Sequence, residues 1–561
     1  MEAITSNKGD FNLKTLEERN FRWSEVEKDF SWYYSGQVNL AYEAIDKHAE
    51  GYRKNKLALI YKDETRSEKY TFHEMKEWTN RVGNVLKEHG VKKGDAICFF
   101  MPRIPELYFS ILGAIKLGAI VIPLFETFME GALHERILDS GAKFLVTTKK
   151  LLSRIPEVDL AKMEKVFLFG DEVEEKDNIL SLTERSLRAS KHLKITWVDL
   201  EDGLMVHYTS SLNGKPRGIY HVHYGMVQHY WTGKWVLDLQ EEDLYWCTAL
   251  PGWLVGTSYG MFAPWLNGVT NCVIGGSFNP EFWCRAIEEL GITVWFSTPT
   301  VFRMFMGFEH QRLKEFDFSS LRHIFSVGEP LSVEMIHWGK EVFHRYIHDT
   351  YLSTETGAIM IGNYPGLELR IGSMGKALPG IEARVIDQDG TILSPYQTGQ
   401  LAIFKGWPSM MRGIWNNKDE FESLFLPKGW YLTGDFVYKD EDGYFWFQGR
   451  MKEDILTRHE GISPFEVEGK LLEHPAVAEA AVIGKPDPLH GELIKAFIVL
   501  KPGFFPSKDL EKELCEFVQS HLSSTVLLQE MEFTDSLPKT RSGKIMRRVL
   551  KAREQDLAFG S

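Results

Sequence analysis

Between Glu74 and Phe169 the apolar residues fall into two alternating patterns. Over Glu74–His89, Val82, Val85 and Leu86 share one helical face, whereas Ala96–Phe100 is almost continuously apolar. The first pattern predicts an amphipathic helix and the second a strand buried on both faces. The longest apolar stretch, Leu107–Phe125, is interrupted by Lys116, Gly118 and Pro123. Pro105 suits a first helical turn and Gly118 the position past a helix end. The stretch therefore reads as a helix, a turn and a β-branched strand at Ala119–Ile122. Lys143–Val146 and Lys165–Phe169 predict further strands, and strands alternating with helices predict parallel sheets covered on both faces.

From Gly375 to Lys405 short strands and turns take over, as in Ala383–Ile386 followed by Asp387-Gln-Asp-Gly390. They predict a small antiparallel barrel or sheet. Beyond Gly449-Arg450-Met451-Lys452 come a helix at Pro464–Glu473, strands at Ala478–Ile483 and Ile494–Leu500, and a helix at Lys508–Leu522. A basic tail, Pro538–Arg548, follows. The expected fold is α/β. Residues 1–449 form a large N-terminal domain of parallel and mixed sheets with helices and a small β-barrel-like subdomain. Residues 450–561 form a small α+β C-terminal domain.

At 561 residues, 43% hydrophobic and 25% charged, the chain has a globular composition that excludes disordered and fibrous classes. Its 65 Lys+Arg against 78 Asp+Glu give a net charge of −13, which repels nucleic acid and anionic membrane. No nucleic-acid or membrane partner is expected. The N-terminus lacks the basic-then-apolar layout of a signal peptide, and no stretch suits a membrane span. Five scattered cysteines without CxxC spacing support neither a disulfide framework nor a cysteine zinc site. A cytoplasmic protein is expected.

Three loops carry chemistry. Tyr208-Thr-Ser-Ser-Leu-Asn-Gly-Lys-Pro-Arg-Gly218 is rich in hydroxyls, glycines and cations, which together can wrap phosphate oxygens. Asp349-Thr-Tyr-Leu-Ser-Thr-Glu-Thr-Gly357 offers the hydroxyls and carboxylates that a magnesium nucleotide needs. Trp430-Tyr-Leu-Thr-Gly-Asp435 presents a carboxylate after a glycine turn, suited to a ribose diol.

In this order, with Gly449-Arg450 and Pro538-Lys-Thr-Arg-Ser-Gly-Lys544 after them, these loops resemble the adenylate-forming superfamily. The likeness extends from about Phe21 to Arg548, and is strongest to its AMP-forming acetyl-CoA synthetases of the shorter bacterial type. Gly233–Asp238, Ala263–Gly268 and Trp407–Met411 also share in it. The resemblance implies an acid–thiol ligase that turns ATP and a short carboxylic acid into an acyl-adenylate, then passes the acyl group to coenzyme A. It implies ATP, Mg2+ and coenzyme A as ligands, and no prosthetic group.

Residue by residue, the resemblance assigns nucleotide contacts to Thr209, Ser210, Gly214, Gly328, Glu329, Pro330, Asp349, Thr350, Tyr351, Leu352, Ser353, Thr354, Asp435 and Arg450. Glu355 corresponds to the magnesium carboxylate, and His474 to a second metal position used by some relatives. Lys544 corresponds to the catalytic lysine, and Lys452 to the hinge about which a mobile C-terminal domain turns. A protein acyltransferase or deacylase acting on Lys544 is an implied partner. Leu254, Val255, Val327 and Leu352 correspond to the acyl pocket, where the family's second tryptophan has become Leu352. Each additional buried methylene contributes about 0.8 kcal/mol, so an acid larger than acetate is expected. His221 and His223 have metal-like spacing but no accompanying cluster, and read as structural.

The chain also departs from the family. Ser211, Leu212, Asn213 and Arg217 replace the loop's glycine, hydroxyl residue, threonine and lysine, and Leu250 stands where an aspartate is usual. Arg458-His459-Glu-Gly461 replaces a Ser-Gly-x-Arg loop near the expected thiol tunnel. These changes leave open a catalytically impaired paralogue with a binding or regulatory role, or an adenylating enzyme with an acceptor other than coenzyme A.

Overall fold

The computed structural model describes residues 21–128, 130–176, 178–210, 216–308, 310–450, 455–456, 461–462, 464–487, 491–521, 528–540 and 545–559. The chain divides into two compact units, Met1–Glu382 with Phe404–Gly429, and Ala383–Ile403 with Trp430–Ser561.

In the first unit an eight-stranded sheet runs in the order Gly413–Ile414, Pro216–Val222, Gly203–Ser210, Ile120–Leu124, Ala96–Phe100, Phe144–Thr148, Lys165–Phe169, Ile179–Ser181. From Gly203–Ser210 onward neighbouring strands are parallel, and the first three are antiparallel to one another. A second run has the parallel strands Ile347–Tyr351, His323–Val327, Val294–Ser297, Leu244–Cys247, Thr270–Ile274 and Leu57–Lys62 side by side. Antiparallel neighbours Ile361–Gly362 and Ser67–Thr71 flank it. Its core is aromatic: Trp246 stacks on Trp295 at 5.6 Å between ring centroids, with Trp283, Phe302 and Phe305 packed around them. The alternation read from the sequence is thus the βαβ logic of a parallel sheet.

Local signals set the element ends. Thr71 and Glu74 form a capping box at the start of the helix Phe72–Glu88. Pro105 opens the helix Pro105–Lys116, and Gly118, with φ +72°, ends its turn. Lys116 does not interrupt the apolar run from outside it: the side chain is fully buried. Its Nζ lies 2.6 Å from Asp46 Oδ2 and donates to Thr79 Oγ1 and Asn80 Oδ1, both at 2.8 Å. One buried cation thereby ties three helical segments together.

In the second unit Ala383–Ile386 pairs antiparallel with Gly399–Phe404, and Trp430–Lys439 with Tyr444–Arg450. The four strands lie side by side in the order Ala383–Ile386, Gly399–Phe404, Trp430–Lys439, Tyr444–Arg450. A three-stranded sheet, Val477–Asp487, Gly491–Leu500 and Leu528–Phe533, packs with the helices Pro464–Glu473 and Lys508–His521 around Val467, Leu471, Val482, Ile498 and Leu514. The sequence reading missed one helix: Arg547–Phe559 continues the basic tail. Its inner face carries Arg547, Leu550 and Glu554, all buried, and Arg547 Nε donates to Glu468 Oε1 at 2.9 Å. Charged residues on the inner face hid it from a hydrophobicity pattern.

Among the described residues no helix is long and apolar enough to cross a membrane. All five cysteines are free.

Candidate active site

The first-unit candidates lie at or beyond the carboxyl ends of parallel strands, where ligands of open α/β sheets bind. His323–Val327 and Ile347–Tyr351 run side by side in the register Ser326↔Asp349 and Val327↔Thr350. Gly328-Glu329-Pro330 and Leu352-Ser353-Thr354 therefore leave the sheet from neighbouring strands. Gly328 takes φ +86°, which favours glycine. Thr300 Oγ1 donates to Glu329, 2.7 and 2.8 Å from its two oxygens, and Thr350 Oγ1 donates to Ser326 O at 2.7 Å. Burial pushes the Asp349 carboxyl well above the usual carboxylate range.

The turn Ser353–Gly357 is tied down on every side. Thr356 N donates to Ser353 Oγ at 3.2 Å, and Ser353 N donates to Thr356 Oγ1 at 2.9 Å. Its carbonyls are claimed from distant parts of the unit. Thr354 O accepts from His221 Nε2 (2.9 Å), Thr356 O from Trp407 Nε1 (2.8 Å) and Ser409 Oγ (2.7 Å), and Gly357 O from His229 Nε2 (3.0 Å). Gly357 has φ +77°, and a Cβ there would fall 2.0 Å from Ser409 O. Only glycine fits. Glu355, whose side chain is 12% exposed, is thus presented from a rigid turn.

The phosphate-loop motif is anchored by a hairpin. Gly203–Ser210 pairs with Pro216–Val222 through Thr209↔Arg217 and Ser210↔Pro216. Ser211, Leu212, Asn213 and Gly214 lie outside the described residues, as do Lys452, Arg458, His459 and Lys544. Arg217 forms an ion pair with Glu355, and its Nη1 lies 3.4 Å from Glu420 Oε1.

The proposed acyl residues are buried. Leu254 and Val255 open the short helix Leu254–Thr257, Val327 ends its strand, and Leu352 follows the neighbouring one. In the second unit, Asp435 is buried and stands opposite Arg450 in the antiparallel ladder, so the two expected ribose contacts share one register.

His474 is engaged at both ring nitrogens. Nε2 is 3.2 Å from Glu513 Oε1, and Nδ1 accepts from Ala476 N at 3.3 Å. Among the described residues no group of three His, Cys, Asp or Glu could hold a metal by itself. Mg2+ on a nucleotide needs only one or two carboxylates beside phosphate oxygens and water, and Glu355 fits that role.

His221 and His223 are structural, as their isolation in the sequence implies. His221 lies in the strand Pro216–Val222 and His223 in the turn just beyond it; both are buried, and His223 Nδ1 accepts from Leu40 N at 3.3 Å. Burial lowers His221 to about 3, and His207, His223 and His229 each to about 4. A free histidine titrates near 6.5, so the unfolded chain binds more protons than the folded one between these values. The stability held by these neutral rings is complete above pH 6.5 and is lost as pH falls towards 4. The midpoint of thermal unfolding should hold steady from pH 7 to 8 and drop steeply below pH 6. His221→Gln should flatten that drop, and an identical pH slope in the variant would refute the assignment.

Comparison with known proteins then decides the family. The AMP-binding enzyme family model matches residues 45–415, and the model of the AMP-binding enzyme C-terminal domain matches residues 466–544. The chain belongs to the AMP-binding enzyme family. It is 57% identical to the acetyl-coenzyme A synthetase of Bacillus subtilis (strain 168), over 100% of this chain and 98% of that one. Identity to the acetyl-coenzyme A synthetase of Pyrobaculum aerophilum is 35%, over 97% and 89%. Among solved structures, Brucella canis acyl-CoA synthetase is 32% identical with a TM-score of 0.75, over 96% of this chain and 98% of that one. The anthranilate CoA ligase AuaEII, solved with anthranoyl-AMP, is 28% identical with a TM-score of 0.83, over 93% and 98%.

Family membership gives the clamp its meaning. His221, His229, Trp407 and Ser409 hold the turn through its backbone, a role that sequence reading missed because all four act on carbonyls.

Proposed function

We propose that the chain is an AMP-forming acyl-CoA synthetase acting on a short carboxylic acid, ATP and coenzyme A in the cytoplasm. The observation that carries this reading is 57% identity to an acetyl-coenzyme A synthetase over the whole chain. In the first half-reaction the acid's carboxylate attacks the α-phosphate, giving acyl-adenylate and pyrophosphate. In the second the coenzyme A thiol attacks the acyl carbon and AMP leaves.

Roles follow from the residues. Gly328–Pro330 and Asp349–Thr354 frame the base and phosphate, Asp435 and Arg450 take the ribose, and Thr209, Ser210 and Gly214 flank the phosphates. Glu355 would hold the magnesium ion, which would neutralise phosphate charge. Lys544 donates to the α-phosphate as pyrophosphate leaves; one such aimed donor contributes about 10²–10³ in rate. The C-terminal domain bearing Lys544, residues 450–561, then turns about Lys452, so that one pocket serves two reactions in sequence. Acylation of Lys544 by a protein acyltransferase would remove the charge and switch off the first step.

Release of AMP that requires both an acid and coenzyme A tests the whole reading. AMP release with acid alone would instead favour a different acceptor. The acid itself is addressed at Leu352. Leu352→Trp should shift kcat/KM towards acetate relative to propionate, butyrate and isobutyrate, because overpacking a filled pocket costs about 1–3 kcal/mol. An unchanged rank order would place Leu352 away from the acyl chain.

A further inference from the structure

Arg217 stands where the family keeps a lysine, and its guanidinium spans two carboxylates of the first unit. Its side chain is 18% exposed, against 12% for Glu355 and 35% for Glu420. One nitrogen pairs with Glu355 and another lies 3.4 Å from Glu420 Oε1, while Nε is buried without a hydrogen-bond partner among the described residues. Glu420 is itself held in place. Its carboxylate accepts from Asn417 Nδ2 at 2.8 Å, and Asn417 caps the helix Lys418–Ser423 through Oδ1.

This arrangement has a consequence for the carboxylate read above as the metal ligand. Glu355 cannot give the same oxygen to a guanidinium and to a divalent cation, because the two like charges would meet at contact distance. Glu355 has a second oxygen for the cation, but a guanidinium at contact distance repels a divalent ion from the same carboxylate, so drawing Arg217 off strengthens the site. A planar guanidinium with five fixed donors can release one carboxylate while keeping the other.

We propose that Glu420 is a positioning residue for the metal–nucleotide step: it retains Arg217 as Glu355 turns to the magnesium ion. The proposal rests on Glu355 being the metal carboxylate. Glu420 keeps the cation from being stranded half-buried, and draws it off the metal's approach. With Glu420 neutral, Arg217 has only Glu355 to pair with among the described residues, and the metal competes against a tighter ion pair.

The test measures binding without turnover. Mn2+ with α,β-methylene ATP is titrated into the full-length protein, and free Mn2+ is followed by electron paramagnetic resonance. E420Q should weaken Mn2+–nucleotide binding about fivefold, within the range of coupling seen between contacting residues. In an R217M background the same E420Q change should have no effect. AMP, which brings no β- or γ-phosphate, checks that E420Q is folded. Should that binding be lost, N417A, which frees the Glu420 carboxylate, replaces E420Q in the comparison.

Two results would overturn the proposal: unchanged Mn2+–nucleotide affinity in E420Q, or an equal loss with and without Arg217, which would assign the effect to Glu420's own charge. E355Q separates the underlying reading. Loss of metal-supported binding in E355Q upholds Glu355 as the ligand whatever E420Q does, and parent-like binding there removes the premise itself.

Discussion

Lys544→Ala should lower acid-dependent adenylation by at least about 10²–10³ while leaving the attack of coenzyme A on a supplied acyl-adenylate largely intact. The split follows from charge. Only the first half-reaction builds negative charge on a transferring α-phosphate as pyrophosphate departs, and a cation aimed there stabilises that transition state. The second begins from an adenylate already formed. On the two sides of the segment 541–544, Lys539 Nζ donates to Glu479 Oε1 at 2.7 Å, and Arg547 pairs with Glu468 in a buried contact. Stopped assays with synthetic acyl-adenylate measure the second step alone. Equal losses in both half-reactions would remove Lys544 from its assigned role.

Lys116→Met should be the most damaging single change to stability away from the site. Lys116 is 0% exposed and Asp46 2%, so deleting the cation leaves a buried carboxylate whose one remaining ion pair among the described residues is with Lys76, at 4.0 Å. Breaking a buried pair in this way costs about 3–5 kcal/mol. Thr79 and Asn80 lose their donor as well. Asp46→Asn added to Lys116→Met should recover part of the loss, because the uncompensated charge is then gone. Chemical denaturation of the three proteins measures both effects, and a single variant within 1 kcal/mol of the parent would contradict the account (buried pairs typically show several times that).

Local patterns in the sequence found what local physics determines. Ala96–Phe100, Lys165–Phe169, Ala383–Ile386 and Pro464–Glu473 are elements with the expected bounds, because composition and end signals both act within a few residues. Lys116 was misjudged for the opposite reason. A lysine in an apolar run looks like an interruption until its partner is known, and Asp46 lies far away in the sequence. The helix Arg547–Phe559 was hidden by its charged inner face, which is satisfied by Glu468 on another helix. The same contrast holds at the site. The nucleotide motifs were legible because their backbone shape demands particular residues, such as Gly357. The clamp by His221, His229, Trp407 and Ser409, and the sharing of Arg217 between Glu355 and Glu420, depend on long-range packing.

The central claim is that this chain forms an acyl-adenylate despite its altered phosphate loop. The direct measurement is exchange of labelled pyrophosphate into ATP across a panel of short, branched and aromatic acids, with the parent protein and with Ser211, Leu212 and Asn213 restored to Gly, Ser and Thr. The account predicts exchange that appears only when a short acid is present, and a lower KM for ATP in the restored protein, since the loop serves the departing phosphates. Absence of exchange with every acid, in both proteins, would contradict it.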